Sequence, residues 1–391
     1  MINQVSIKNF KSIKELDLEL GRVTVLIGEN GCGKSNILEA IALCSAAAAE
    51  KLDHEFLSSR GMRVPDDARF MRSAFDAQDV TGDIIISVAH SEETKSINDG
   101  NEPMKFECIL QKDDNSPYSA WINAKLMQDY RSEVWRESLL SLVELSDDPT
   151  KSEEFHRDIQ IVFQHRLAPK ILLGFLVYSP ENSSLRTFEA EAQIIPLGIK
   201  GEGLFKLLTV LTLEENKDRL AEIKSELKLL DWFGDFNLAS GISFGERTIN
   251  IKDKYLDESL SYFTQKSANE GFLFLLFYFT LFVSRETPSF FAIDNIDASL
   301  NPKLCSRLLK ELASLAKTHN KQAIVTTHNP AILDGLNLTD DEQRLFVVSR
   351  NKMGHTKVKR VFKPDVAEGQ TPIPLSEAFL RGYLGGLPRN F

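Results

Sequence analysis

The stretch Gly28-Glu29-Asn30-Gly31-Cys32-Gly33-Lys34-Ser35 decides how this chain is read. It is a complete G-x-x-x-x-G-K-S, placed after the apolar run Val23–Ile27 and before a segment rich in Leu, Ile and Ala at 36–49. Strand, turn and helix in that order are the context a phosphate-binding loop requires. The glycines let main-chain N–H groups approach phosphate oxygens without a Cβ in the way, and the helix N-terminus adds partial positive charge. Lys34 brings a full charge to the outer phosphates, and the Ser35 hydroxyl suits Mg2+. The stretch predicts a nucleoside triphosphate site.

Working outward, Val5 and Ile7 alternate with polar neighbours, as do Leu16, Leu18 and Leu20, which predicts strands on either side of a turn. Segments 84–88, 105–110 and 120–124 read as antiparallel strands, joined by turn-rich pieces such as DDNSP at 113–117. From about 126 the pattern turns helical (126–146, 153–165 and 204–230), with SDDPTKS at 146–152 as a break. The last third alternates: strand Phe290–Ile293, helix 304–317, strands 323–326 and 345–348. Such alternation predicts a parallel sheet with helices on its faces. The expected organisation is one interrupted α/β domain. Residues 1–125 form its N-terminal lobe, 126–235 a mainly helical insertion, and 236–391 its C-terminal lobe.

Two further elements carry chemistry. Phe290-Phe291-Ala292-Ile293-Asp294 is an apolar strand ending in a carboxylate, placed to hold a Mg2+ shell opposite the phosphate loop. Thr326-Thr327-His328-Asn329-Pro330 follows the next strand, where His328 can contact a γ-phosphate or orient water. A lone histidine is more often a satisfied structural residue, but this one lies a single strand after Asp294.

The order of phosphate loop, Asp294, Ser299-Leu300-Asn301-Pro302 and Thr327-His328 resembles the ABC-type ATPases. Within them it looks most like the RecF/SMC branch and the OLD-type ATPases of bacterial phage-defence systems. The opening Ile7-Lys8-Asn9-Phe10-Lys11-Ser12-Ile13 is similar to the start of those heads. The resemblance implies a P-loop α/β head of ABC type, interrupted by an antiparallel β subdomain and a helical insertion, binding ATP with Mg2+. It implies nucleotide contacts at Lys11, Asn30, Gly31, Cys32, Gly33, Lys34, Ser35 and Asn36, and metal ligation by Ser35 and Asp294. Ser299 to Pro302 would be a D-loop crossing a homodimer interface, and His328 a switch histidine. The signature motif is degenerate: Ser267-Ala268-Asn269-Glu270-Gly271 keeps Ser267 but places Asn269 where glycine is usual. The same residues also read as a helix cap, with Ser267 as N-cap and Glu270 three residues on.

The catalytic set implied is Asp294, Asn295, Asp297 and His328. Asn295 stands where the family usually has a water-polarising Glu, and an amide cannot take a proton. General-base assistance of ~10²–10⁴-fold is thus expected to be missing unless Asp297 supplies it. Slow turnover with retained ATP-dependent dimerisation is the expectation, and a non-enzymatic, nucleotide-gated scaffold is its variant.

Composition bounds the partners. The chain has 391 residues, 46 Lys and Arg against 56 Asp and Glu, and a net charge of −10, which argues against coating nucleic acid non-specifically. With 42% hydrophobic and 26% charged residues, wholesale disorder is excluded. Arg350, Lys352, Lys357, Lys359 and Arg360 form a local basic segment, read first as a solvated hairpin and second as a nucleic-acid contact. Cys32, Cys44, Cys108 and Cys305 are scattered without metal-ligand spacing, the usage of a reducing cytoplasm. The apolar run 272–283 falls short of the ~20 residues a membrane span needs and reads as a buried helix. No signal peptide or nuclease constellation is recognised, so a cytoplasmic protein serving a separate effector is expected. A RecF-like DNA repair ATPase is the alternative, and a transporter subunit fits poorly because the signature is degenerate.

Overall fold

The structure, a computed structural model, describes residues 1–75, 79–90, 104–112, 120–125, 168–188, 196–240, 247–257, 259–260, 262–363 and 373–386. Its contacts divide the chain into two compact units that interleave in sequence: 1–20, 35–175 and 350–358 form the first, and 21–34, 176–349 and 359–391 the second. The expected helices at 126–146 and 153–165 and the turn at 113–117 lie outside the described residues.

The first unit holds a five-stranded antiparallel sheet in the order β2-β1-β4-β5-β6. Its strands are β1 (Ile2–Phe10), β2 (Ile13–Glu19), β4 (Ile84–His90), β5 (Met104–Gln111) and β6 (Ile122–Asn123). Val5 and Ile7 are fully buried between exposed or half-buried neighbours, the alternation of a sheet packed on one face. At the β1–β2 turn Lys11 adopts a left-handed φ of +46°. The body of helix α1 (Lys34–Ala48) belongs to this unit from Ser35 onward.

A six-stranded sheet ordered β14-β13-β3-β12-β11-β7 underlies the second unit, except that Arg350 of β13 and Thr356–Val358 of β14 belong to the first. These are β3 (Val23–Ile27), β7 (Val177–Tyr178), β11 (Phe290–Ile293), β12 (Gln322–Thr327), β13 (Gln343–Arg350) and β14 (Thr356–Val361). β3 is parallel to β12 and β13, and β11 is parallel to β12 and β7. Val25 stands opposite both Val325 and Leu345, so the carboxyl ends of β3 and β12 share one edge. In open sheets of this kind, ligands bind at that edge. All five residues of β3 are buried, as expected for a strand covered on both faces. β7, only two residues long, carried no periodicity to read.

Two helices of this unit carry much of its core. α5 (Glu270–Val283) is buried at every position from Phe272 to Val283, each large side chain contributing about 1.5–3 kcal/mol. α6 (Pro302–Thr318) buries Leu304, Leu308, Leu312 and Leu315 along one stripe, starting from an Asn301 cap with proline in its first turn. Sequence periodicity did not flag the three-stranded antiparallel sheet β10-β9-β8, formed by β8 (Phe233–Ser240), β9 (Arg247–Asp253) and β10 (Phe263–Thr264).

Between α1 and α5 the chain forms α2 (Asn182–Thr187), α3 (Leu204–Leu211) and α4 (Lys217–Glu226), besides the short helices His54–Ser59 and Lys170–Leu173. The segment expected as one helix at 204–230 is therefore broken. The Thr209 and Thr212 hydroxyls bond back to the carbonyls of Phe205 and Thr209 at 2.9 and 2.7 Å, and Leu213 turns extended at ψ 150°. Among the described residues, no helix is long and apolar enough to cross a membrane.

Candidate functional site

β3 ends at Ile27 and delivers Gly28 to the carboxyl edge of the second unit's sheet. A Cβ on Gly28 would lie 2.1 Å from the Val348 carbonyl of β13, so only glycine lets the loop leave between these strands. Gly31 and Gly33 follow with φ of +73° and +107°. Asn30 and Gly31 are exposed, whereas Cys32 and Lys34 are buried. Burial pushes the Cys32 thiol up, the opposite of an activated cysteine.

Lys34 anchors the arrangement. Its ammonium donates to the carbonyls of Gly28 and Glu29 at 2.8 and 3.0 Å and meets His328 Nδ1 at 3.3 Å. An ammonium can only donate, so Nδ1 accepts and the imidazole is neutral. Burial, followed by the Lys34 charge, holds the His328 pKa below its ordinary 6.5. Burial likewise lowers that of Lys34, with Asp294 and Asp297 among the charges opposing it.

The two acids are held by the strand next door. Ile293 stands opposite Val325, which places Asp294 beside Thr326. The Thr326 hydroxyl donates to Asp294 Oδ1 and accepts the Asn295 amide at 2.9 Å. Thr327 donates to Asp297 Oδ1 at 2.6 Å and accepts the Asn329 amide at 2.9 Å. Asn295 is exposed and left-handed at φ +54°, a conformation Asn tolerates better than most residues. Sequence reasoning missed both threonines, because a β-branched residue at a strand end reads as strand.

The expected site residues thus fall into three groups. Lys34, Cys32, Asp294, Asp297 and His328 gather in the second unit. Lys11, Ser35 and Asn36 lie in the first. There the Lys11 ammonium is held by the Glu39 carboxylate and the Arg63 carbonyl, the latter at 2.7 Å. Asn36 donates to Ser12 Oγ at 2.7 Å, and that oxygen lies 2.6 Å from Thr356 Oγ1.

Ser267 and Asn269 form the third group, at the start of α5. Here the expected cap is corrected: Ser267 closes a 3₁₀ turn, Gln265–Ser267, and Asn269 is the N-cap, its side chain accepting from Phe272 N at 2.8 Å. Glu270 bridges onward, accepting from Asn182 at 2.7 Å and from Ser299 at 2.6 Å. The end of α5 is thereby tied to the segment expected as D-loop. Asn269, Glu270 and Ser299 line a cavity of about 510 Å3 together with Trp232, Lys303 and Arg307.

Oxygen donors from a hydroxyl and a carboxylate suit Mg2+. Among the described residues, no group of three or more His, Cys, Asp or Glu could hold a metal ion. The Ser35 hydroxyl of the first unit and the Asp294 carboxylate of the second are each, taken alone, a donor that Mg2+ accepts. The basic segment forms the β13–β14 hairpin, with Arg350 stacked 5.6 Å from Phe75 and Lys352, Lys357 and Lys359 exposed.

Parts of the chain are similar to known proteins. A family described as "AAA ATPase domain" matches residues 1–166, and one described as "AAA domain, putative AbiEii toxin, Type IV TA system" matches 215–334. An OLD nuclease of Thermus scotoductus is 37% identical over 67 residues, covering 17% of this chain and 11% of that protein. An uncharacterized protein of Methanocaldococcus jannaschii is 50% identical over 48 residues, 12% of this chain and 22% of that protein. The chain therefore spans only a small part of either relative's length. Among solved structures, the SMC head bound to the C-winged helix domain of ScpA superposes with a TM-score of 0.53 at 17% identity, covering 92% of this chain and 98% of that one. The SMC head domain from Thermotoga maritima gives a TM-score of 0.48 at 15% identity, over 92% and 98%. Phosphate loop, strand-end acid and histidine thus fall inside two segments that match AAA-type ATPase families, in a chain whose fold is that of an SMC head.

Proposed function

We propose that the chain is an ATP-binding, slowly hydrolysing head that dimerises around two Mg-ATP and serves as sensor or scaffold for a separate effector in bacterial phage defence. The observation that carries the nucleotide part is the Lys34 ammonium, fixed by two loop carbonyls beside His328 and near the charges of Asp294 and Asp297. In this reading Lys34 and the loop amides hold the phosphates, Ser35 and Asp294 hold Mg2+, and His328 meets the γ-phosphate. Bound Mg-ATP supplies the metal's stabilisation of developing phosphate charge.

Asn295 orients water without taking its proton, and Asp297 provides the acid that Asn295 lacks. Its Oδ1 is taken by Thr327, and Oδ2 makes no hydrogen bond among the described residues. The test is the steady-state rate of phosphate release for wild type, Lys34→Ala and Asn295→Glu. Slow release in wild type, loss in Lys34→Ala and a gain of about tenfold or more in Asn295→Glu are expected. A fast wild type with no gain in Asn295→Glu sinks the slow-turnover reading.

Support for the defence role comes from the AbiEii-type match over 215–334 and the OLD nuclease likeness. Plaque counts on cells carrying the gene with its neighbours, against the Lys34→Ala version, test it, and equal counts overturn it. A second reading, a RecF-like ATPase on duplex DNA, is favoured by the exposed Arg350, Lys352, Lys357 and Lys359 of the hairpin. Salt-dependent duplex binding lost on changing these residues to Glu would select it.

A further inference from the structure

We infer that Thr326 and Thr327 are positioning residues, paired hydroxyls at the end of β12 that grip Asp294 and Asp297 by one oxygen each. The inference rests on the hydrolytic reading above and deepens it. The direction of each hydroxyl proton follows from its partners. Thr326 Oγ1 already receives the Asn295 amide hydrogen at 2.9 Å, so its own proton points to Asp294 Oδ1. Thr327 Oγ1 receives the Asn329 amide hydrogen at 2.9 Å, and of its two acceptors Asp297 Oδ1 at 2.6 Å is much nearer than the Asn329 carbonyl at 3.4 Å, so its proton points to Asp297. A hydroxyl has a single proton to give, so donating it to any other acceptor, such as the Asn329 carbonyl in the case of Thr327, releases the carboxylate.

The anchors are stiff. Both threonines are fully buried, and β-branching restricts their χ1. Successive residues of a strand face opposite ways, which lets neighbours in sequence serve two different acids. Thr326 takes the acid ending the adjacent strand, and Thr327 takes the one beyond the turn. Thr327 also precedes His328 directly, so one residue sets both the carboxylate and the start of the histidine segment. Without Asn295 as a base, hydrolysis depends on where Asp297 points. An error of about 1 Å in such a group costs up to ~10²-fold in rate.

The test compares wild type, Thr327→Val, Thr327→Ser, Asp297→Asn and the Thr327→Val/Asp297→Asn pair, reading phosphate release and ATP binding separately, with Lys34→Ala as blank. Thr327→Val is expected to slow turnover about tenfold while ATP affinity stays within about twofold. Thr327→Ser recovers most of the rate, and the double variant is no slower than Asp297→Asn alone, because the threonine acts through that acid. Thr326→Val is expected to raise the Mg2+ concentration needed for half-maximal rate, with Thr326→Ser restoring it. Thr327→Ala removes the same hydroxyl and carries the same expectations should the valine variant unfold. An unchanged rate in Thr327→Val, or a loss that multiplies with Asp297→Asn, overturns the positioning role and leaves hydrolysis standing. A wild type no faster than Lys34→Ala overturns the hydrolytic reading and this inference with it.

Discussion

Lys34 donates to His328 Nδ1, and that direction sets a pH response. Protonating the imidazole places two cations 3.3 Å apart, a repulsion that the charges of Asp294 and Asp297 oppose. Because its folded pKa lies below 6.5, His328 takes up a proton more readily in the unfolded chain than in the folded one. Its contribution to stability is complete above about pH 6.5 and is lost as pH falls from there through the depressed value. Phosphate release should therefore show an acid limb below pH 6.5, and His328→Gln should be slower but lack that limb. A retained limb in the variant would assign the titration to another group. At this scale the sequence showed Lys34, Asp294 and His328 because each occupies a motif position with fixed neighbours. It did not show the two threonines, whose roles exist only through the register that sets β12 against β11.

Helix ends and strand gaps carry the next layer of consequences. Since Asn269 caps α5, Asn269→Ala should cost about 1 kcal/mol, and Asn269→Gly only a few tenths. The glycine change also restores the family's usual Ser-x-Gly order. Thermal melts of the two variants check the cost, and tighter ATP-dependent self-association in Asn269→Gly checks the signature reading. Gly28→Ala is expected to be far harsher than Gly31→Ala. The first drives a methyl into the Val348 carbonyl, whereas the second meets nothing within 4 Å and pays only for φ +73°, about 1–2 kcal/mol. Comparable melting losses would show that β13 yields to Gly28. Long apolar or amphipathic segments such as α5 and α6 were legible, because their periods extend over several turns. The cap shifted from Ser267 to Asn269 because a 3₁₀ turn uses Ser267, and sequence spacing alone does not separate those frames.

At the scale of the molecule, the reading predicts an equilibrium between one chain and two. Light scattering should show the mass doubling with Mg-ATP and remaining at 44.1 kDa for Lys34→Ala. A nucleotide-independent mass in wild type would remove dimerisation from the proposed function. The α/β alternation and the two-ended arrangement of motifs were visible in the sequence. The interleaving of the two units was not, since their boundary falls between Lys34 and Ser35, inside a single motif. The position of β3 has a consequence for biosynthesis. Its sheet neighbours are β12 and β13, and the nearer begins at Gln322, 301 residues beyond Gly21. During translation, a β-rich apolar segment leaves the ribosome with both edges unpaired until some 301 further residues have been made. Late closure of this kind is slow and exposes strand edges to other chains. The nascent protein is thus a candidate client for holding chaperones, and prematurely terminated chains would lack both strands that cover β3.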